Sequence, residues 1–576
     1  MASSLQLSAV GDENNYLNAK PKITFFKKVY MRHTNFSMRT DKLKSGYNEQ
    51  LSYNSSTHVK IPILRNGDLI NNIFLKFKLP EIYSDIGENK GFKYIKNVGT
   101  MIIKRARFII DNQLIEEIDG EFLFIYHHLF NSPEKNILND RMTGNKKSIY
   151  NPVGNVDKEY RGYTDTEFYT KNNKKYINKN FDNKPTISSE HLYIPLSFWF
   201  SRNNGLAFPI LSLSYHQVFI ELELRPIREI ILLMKKETIE INKPQYVDPA
   251  NNNSENDVIE RFYYQSPSDN ITFSSFLNNL NWNLDLSLEV NYIFLDNEER
   301  NILVKNNQKY LIEQVILRKA DNIAGKKIVQ MKLFHPIKEL FIAPRRNDVN
   351  LRNDWSNFTN LDYLEQDYKS YQTYFLELSE KESQLNNENL IKYLGQFRKL
   401  NDDTVKLYTS DNLIKWNSIN NDKLIESDYL YTPDDFEKLL DIWNYRESKK
   451  IPSINLINHK FYTSNILNNM SISLNNHVML QEKERKYFEH LQYFQHHKSE
   501  NLDHIPIYSF SFNPQIFQPT GSCNFSKINL INFNLDIKEP KLYIKSAPYT
   551  YDFNFYFINY NLLDFRNGLA GLVFAN

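Results

Sequence analysis

The chain has 576 residues, 41% apolar and 24% charged, with a formal net charge of +2 and one cysteine. This length exceeds one ordinary core and implies two or more domains. The near-neutral balance excludes the strongly basic nucleic-acid-binding class, and the single thiol, Cys523, excludes an intramolecular disulfide framework.

The first residues lack the basic-then-apolar pattern of a secretory signal, and no apolar run reaches spanning length. The expectation is a soluble protein folded in the cytosol. Aromatics reach 14%, which suits half-buried sheet surfaces.

Residues 1–24 read as an arm whose apolar positions are interrupted by Gly11-Asp12-Glu13-Asn14-Asn15. Ile23 to Tyr30 reads as a strand, followed by strands at Val59 to Leu64 and Ile70 to Leu79 around the turn Asn66-Gly67-Asp68. Met101 to Leu129 is the clearest local unit. A strand ends at Ile110, Asp111-Asn112 turns, and a short strand follows. Asp119 then caps a helix carrying Phe122, Ile125 and Leu129 on one face.

Residues 131–190 are polar and read as long loops with little regular structure. Next come two apolar runs, Tyr193 to Phe200 and Ile210 to Leu224, divided by Arg202-Asn203-Asn204-Gly205. Val218, Ile220, Leu222 and Leu224 alternate as a strand with one buried face. A further polar insert occupies 227–283, before the alternating strand Leu284 to Leu295.

The second half repeats these units in order. Tyr310 to Leu317 is an apolar run like that at Ile23, and Ile328 to Ile342 stands for the Val59 to Leu79 pair. Met470 to His497 parallels Met101 to Leu129, with Tyr487, Leu491 and Phe494 at helical spacing. Ile507 opens the partner of the Tyr193 to Leu224 stretch, and Ile558 to Asp564 matches Val290 to Asp296. An insert at 347–455 has a helical pattern around Phe436 to Arg446, capped by Thr432-Pro433-Asp434-Asp435.

Many short strands, long inserts and few helices indicate an all-β architecture. The expectation is two tandem eight-stranded jelly rolls with long loop insertions and a few short helices. The arm covers 1–24, the first jelly roll 25–304 with inserts at 131–190 and 227–283, and the second 305–576 with its insert at 347–455. The boundary falls near Asn301 to Gln308. Periodicity alone leaves other Greek-key sandwiches open.

Several segments together resemble the major capsid proteins of nucleocytoplasmic large DNA viruses. They are Tyr16-Leu17 through Pro21 to Phe36; Ile194-Pro195-Leu196 through Phe198-Trp199-Phe200, Arg202-Asn203, Gly205-Leu206-Ala207 and Tyr215-His216; Tyr292 to Arg300 with Tyr310 to Gln314; Gly521 to Ser526; and Asn559-Tyr560-Asn561 to Gly568 through Leu572. The resemblance implies a structural, non-enzymatic shell protein that trimerises into pseudo-hexagonal capsomers tiling an icosahedral virion. It implies assembly in the host cytoplasm, with neighbouring capsomers, minor capsid and penton proteins as partners and no direct nucleic acid. The arm, with Lys20, Lys22, Lys27, Lys28 and Arg32, is expected on the inner side near minor proteins or an internal viral membrane, with a solvated basic edge given equal weight.

No catalytic, cofactor or metal residue is assigned. The pairs His127-His128 and His496-His497 lack partners at ligand spacing. Glu116-Glu117 and Asp402-Asp403 read as solvated turns rather than glycosidase carboxylates, and Cys523 reads as a buried structural thiol. Asn-x-Ser/Thr triplets at Asn35, Asn54, Asn270, Asn357, Asn469 and Asn524 are expected by chance in so Asn-rich a chain. The competing class is a carbohydrate-binding β-sandwich or a viral adhesin or spike subunit; the duplicated order of units favours the shell protein.

Overall fold

The computed structural model describes all residues except 1, 46–49, 82, 85–89, 147–148, 150–166, 170–174, 178–186, 236–244, 248–261, 264–280, 350–352, 361–406, 410–411, 415–464, 500–501, 503, 541–548 and 575–576.

The principal strands of the first half are β1 (Phe36–Leu43), β2 (Thr57–Ile63), β3 (Leu69–Leu79), β4 (Ile103–Ile110), β5 (Gln113–Ile118), β6 (Glu190–Pro195), β7 (Val218–Leu224) and β8 (Ser287–Leu295). Those of the second half are β9 (Gln308–Ile323), β10 (Lys326–Met331), β11 (Pro336–Arg346), β12 (Leu467–Leu474), β13 (His477–Glu484), β14 (Ile507–Ser509), β15 (Ile531–Ile537) and β16 (Tyr551–Arg566).

In the first half β1-β8-β3-β6 forms one sheet and β2-β7-β4-β5 the other. In the second half the orders are β9-β16-β11-β14 and β10-β15-β12-β13, the same pattern displaced by one set of strands. All these pairings are antiparallel. The order is that of a jelly roll, and the chain is a double jelly roll; the halves are called barrel 1 and barrel 2.

Alternation explains the packing. Along β7, Val218, Ile220, Leu222 and Leu224 are buried; along β8, Leu288, Val290 and Tyr292 are. A cluster built on Phe533, Phe553, Phe555 and Phe557 fills barrel 2. The barrel 1 cluster extends beyond its own sandwich to include Phe341, Tyr556, Ile558 and Phe565 of barrel 2. The two barrels therefore share an apolar junction.

The Met101 to Leu129 unit folds as its sequence indicates. After β5, Asp119 accepts a hydrogen bond from the Phe122 N–H and caps α1 (Gly120–Phe130), burying Phe122, Ile125 and Leu129.

Other expectations are corrected. Ile23 to Tyr30 forms no strand; it is exposed, and the first barrel strand begins at Phe36. Strand propensity without a partner strand does not make a strand. The Val59 and Ile70 runs do form β2 and β3, but in different sheets, so Asn66-Gly67-Asp68 crosses the sandwich. The run Tyr193 to Phe200 is a strand only to Pro195. Phe198, Trp199 and Phe200 leave it in a 3-10 turn and are fully buried, so burial rather than strand pairing explains their hydrophobicity. Likewise Ile210 to Ser212 is a 3-10 turn before β7.

Within 131–190 the structure forms α2 (Pro133–Thr143), where loops were expected. Ser132 caps it, Pro133 opens it and Gly144, at φ 81°, ends it. Its Ile137, Leu138 and Met142 are exposed, so no buried stripe announced it. The boundary region near Asn301 is helical, α3 (Asn297–Lys305), capped by Asp296. The face expected at Tyr487, Leu491 and Phe494 is rotated: Phe488 and Tyr493 are buried, while Leu491 and Phe494 are exposed. A π turn over Tyr487–Leu491 precedes α4 (Gln492–His496) and shifts the helical phase. The helical pattern at Phe436 to Arg446 lies outside the described residues.

Register gives the molecule two distinct ends. Phe36 pairs with Leu295 and Leu43 with Leu288; Leu79 pairs with Glu190, and Leu224 with Thr57 and Ile103. The connections after β3, β5 and β7 therefore all leave barrel 1 at the end opposite the arm. In barrel 2, Arg346 pairs with Tyr551 and Leu467 with Ile537, so the connection from β11 to β12 leaves at the corresponding end. The regions 131–190, 227–283 and 347–455 thus issue from insert ends; the arm and the C-terminal strand Leu569–Leu572 lie at arm ends.

Candidate assembly interface

Among the described residues, the most developed polar site is the junction between the barrels, where β5, α1 and the loop 196–217 meet β9, β11 and β16. At the insert end, Arg345 Nη1 lies 2.9 Å from Glu121 Oε2, and Asn554 Nδ2 donates to both Glu121 oxygens. Tyr556 Oη donates to Asp119, 3.0 Å away, so the residue capping α1 also binds the other barrel. Asn353 Nδ2 donates to the carbonyls of Arg228 and Ile231, and Trp355 Nε1 to that of Glu229. The root of the 347–455 insert is thereby tied to barrel 1. Arg225 stacks on Trp355 with its guanidinium carbon 3.7 Å from the ring centroid.

In the middle of the junction, Arg202 Nη2 lies 2.5 Å from Glu116 Oε1, whose other oxygen accepts the Trp199 N–H at 2.8 Å. Arg202 Nη1 is 3.6 Å from Glu313 Oε2, and Lys338 Nζ pairs with Glu313. Burial raises the Glu116 carboxyl to about 7, against the pull of Arg202. For Arg202, desolvation works against the charge, but Glu116, Tyr126 and Glu313 outweigh it and its pKa is raised.

His497 Nε2 lies 2.5 Å from Glu339 Oε1, with both side chains sealed from solvent, and its Nδ1 is 3.3 Å from the Leu129 carbonyl at the end of α1. Burial disfavours the imidazolium, yet Glu339 outweighs it and the His497 pKa is raised. Burial also raises Asp119 and Glu121.

Apolar contacts complete the junction. Phe122 packs on Phe341 and Tyr556, Trp199 on Tyr310, and Phe208 on Phe565. At the arm end Ser214 N donates to the Gly568 carbonyl and Leu572 N to Gln113 Oε1. Both insert-end and arm-end groups of the two barrels meet like with like, so the barrels stand side by side in the same sense.

The residues weighed from sequence sit as follows. Glu116 is a buried junction residue rather than a solvated turn, which corrects that expectation; Glu117 pairs with Arg107, and Asp402-Asp403 lies outside the described residues. His127 bonds Ser197 and is pushed down to about 3 by burial, and His128 meets the Phe124 carbonyl. His496 meets the Phe512 carbonyl. Cys523 is half-buried, its thiol pKa raised by burial. Asn357 is buried and accepts from Thr359 within its own triplet. No cluster of three His, Cys, Asp or Glu that could hold a metal occurs among the described residues. Sequence reasoning missed the junction itself. Its signal was the charged pair Lys338-Glu339 inside the apolar run Ile337 to Ala343.

Two family models match end to end. "Major capsid protein N-terminus" matches residues 24–296, and "Large eukaryotic DNA virus major capsid protein" matches residues 299–571. The chain is 25% identical to the major capsid protein of Phaeocystis pouchetii virus over 99% of each chain. It is 23% identical to that of Paramecium bursaria Chlorella virus 1 over 100% of each. Among solved structures, the PBCV-1 virus capsid protein superposes with a TM-score of 0.55 at 19% identity, over 96% of this chain and 100% of that one. The Faustovirus major capsid protein does so with a TM-score of 0.55 at 10% identity, over 98% and 99%. These two share the fold.

Proposed function

Because this chain belongs to the family of large eukaryotic DNA virus major capsid proteins, we propose that three copies join into a pseudo-hexagonal capsomer, each supplying two of six corners, and that capsomers tile an icosahedral shell. The protein is a structural component of the virion capsid, not an enzyme. In this reading the chain divides into its arm, barrel 1 to about residue 304 and barrel 2 from there on. Assembly takes place in the host cytoplasm.

The observation that carries the reading is the polarity of the paired barrels. Every long insert leaves from insert ends, and the arm leaves from the opposite side. A shell tile needs such polarity: the inserts build the outer tower and cross-link neighbours in the trimer, while the arm faces inward. Phe25, Phe26, Tyr30 and Met31 on the arm are exposed beside Lys20, Lys22, Lys27, Lys28 and Arg32. That mixture suits minor capsid and penton proteins, with the anionic headgroups of an internal membrane beyond them. The buried ionic junction supports the same function, because a tile must keep the angle between its barrels fixed. Contacts between capsomers can be individually weak, since many act together.

The test is the solution mass by light scattering, followed by negative-stain imaging. A species of three times 68.5 kDa with a six-cornered outline is expected. A chain that stays at single mass at high concentration overturns the trimer.

A further inference from the structure

At the insert end, the junction between the barrels widens into a cleft of about 660 Å³, a size that suits a small molecule. Six cations line it: Lys104, Arg105, Arg225 and Arg228 from barrel 1, and Lys319 and Arg345 from barrel 2. Four acids line it with them, Glu117, Asp119, Glu121 and Glu229. The acids are already engaged. Glu229 pairs with Arg225 and Glu121 with Arg345. Glu117 pairs with Arg107, and Asp119 accepts from Tyr556 and from the Phe122 N–H. Lys104 and Arg105 are matched by Glu223. Arg228 makes no side-chain ion pair among the described residues, and Lys319 acts on Asp119 only through space. The cleft therefore keeps a surplus of positive charge.

Two guanidinium groups, one from each barrel, hold unused donors in this cleft. Arg225 gives Nε to the Met101 carbonyl and Nη1 to Glu229, and Arg345 gives Nη1 to Glu121. Among the described residues, Arg225 Nη2 and Arg345 Nε and Nη2 donate to nothing. The two side chains are only 16% and 17% exposed, so solvent reaches them poorly. They also repel each other: burial lowers the Arg225 pKa against the pull of Glu229, and the Arg345 charge lowers it further. We infer that this cleft binds a small oxyanion carrying two or more negative charges, gripped by Arg225 and Arg345 and held at its rim by Arg228 and Lys319. Guanidinium donors match the paired oxygens of phosphate and carboxylate groups.

The anion joins the barrels. Arg225 and Arg228 follow β7 of barrel 1, while Lys319 lies on β9 and Arg345 on β11 of barrel 2. It also sits at the root of the 347–455 insert, where Arg225 stacks on Trp355. An anion there replaces a repulsion across the junction by attraction to both sides and stiffens the angle between the barrels. A ligand that needs both barrels in place binds the folded chain alone, and so raises its stability with concentration. The site is complete within one chain and does not depend on the trimer.

Titration calorimetry and melting temperature test the site, with sodium pyrophosphate and sodium citrate as probes and sodium chloride at matched ionic strength as the control. The full chain is expected to give saturable heat with at least one probe and a melting temperature that climbs with its concentration. Tighter pyrophosphate binding assigns the anion to the phosphate class, and tighter citrate binding to the carboxylates. Arg228→Ala with Lys319→Ala, which removes the two rim cations, is expected to weaken binding about tenfold. Lys326→Ala with Lys327→Ala, on the exposed start of β10, removes the same charge away from the cleft and is expected to leave binding unchanged. Arg345→Gln is expected to abolish binding, with near-ultraviolet circular dichroism to verify folding; should it unfold, the rim variant decides. No saturable heat from either probe, or an equal loss in both double variants, overturns the site. Neither result depends on the solution mass, so the capsomer reading stands or falls separately.

Discussion

Glu121 and Asn554 are 433 residues apart in sequence, yet Asn554 Nδ2 donates to both Glu121 oxygens at 3.0 and 3.1 Å across the junction between the barrels. Glu121 also neutralises Arg345, which is otherwise buried. Replacing Glu121 by Ala leaves a buried guanidinium without its main counter-charge, and the expected loss is about 3–5 kcal/mol. Urea denaturation measures it. Glu121→Gln keeps the Asn554 contact and is expected to lose less. If both variants unfold at the wild-type midpoint, the junction contributes nothing to stability.

The C-terminal turn depends on one glycine. Gly568 has φ +80°, and an added Cβ would lie 2.9 Å from the Ser214 Cβ, where the barrel 1 loop accepts no intrusion. Gly568→Ala is expected to cost about 1–3 kcal/mol by combined strain and clash. The first measurable effect is loosening of the Leu569–Leu572 strand, read as faster amide exchange there than in β15. Unchanged exchange would mean the turn relaxes freely.

How much of this was legible in the sequence depended on whether the cause was local. Asp119 capping α1 and the alternation of β7 follow from neighbours a few residues away, so they could be read directly. The duplicated order was visible because Asn-Tyr and Leu-Asp recur at the same spacing in Val290 to Asp296 and Ile558 to Asp564. Tertiary causes left less trace. The Ile23 run looks like a strand but has no neighbour to pair with, and the Phe198 to Phe200 run is hydrophobic because it plugs a core. The π turn moved the Leu491 face by a phase shift that period-counting cannot see. The ionic junction was hidden for the same reason: Glu116 and Arg202 each look solvated until the other barrel covers them.

Stability should fall as pH rises from acid toward neutral and above. His497 has a raised folded pKa, so its contribution is complete below its ordinary value of about 6.5 and is lost as pH rises through the raised one. Glu116 adds to the same slope. Its carboxyl is raised from 4.5 to about 7, so the folded state holds a proton the unfolded state has released, worth about 3 kcal/mol across that interval. The melting temperature is therefore expected to decline between pH 5 and 8. His497→Gln should remove only the part above about 6.5, leaving the Glu116 part at lower pH. A melting temperature that rises over this range would contradict both assignments.

Deletion of residues 1–35 separates folding from assembly. No described residue of the arm is buried, and the first strand of barrel 1 begins at Phe36, so the truncated chain keeps both sheets of both barrels. Its melting temperature is expected within about 1 °C of the full chain, since exposed segments contribute little to stability. The inserts assigned to trimer contacts also lie outside the deletion, so its solution mass should match the full chain. What should change is attachment on the inner side. The full chain, with its five arm cations between Lys20 and Arg32, is expected to co-sediment with vesicles containing anionic phospholipid, and the truncated chain to remain in the supernatant. Binding by both would place the basic surface elsewhere. Binding by neither would leave minor capsid proteins as the arm's partner and remove the membrane from the reading.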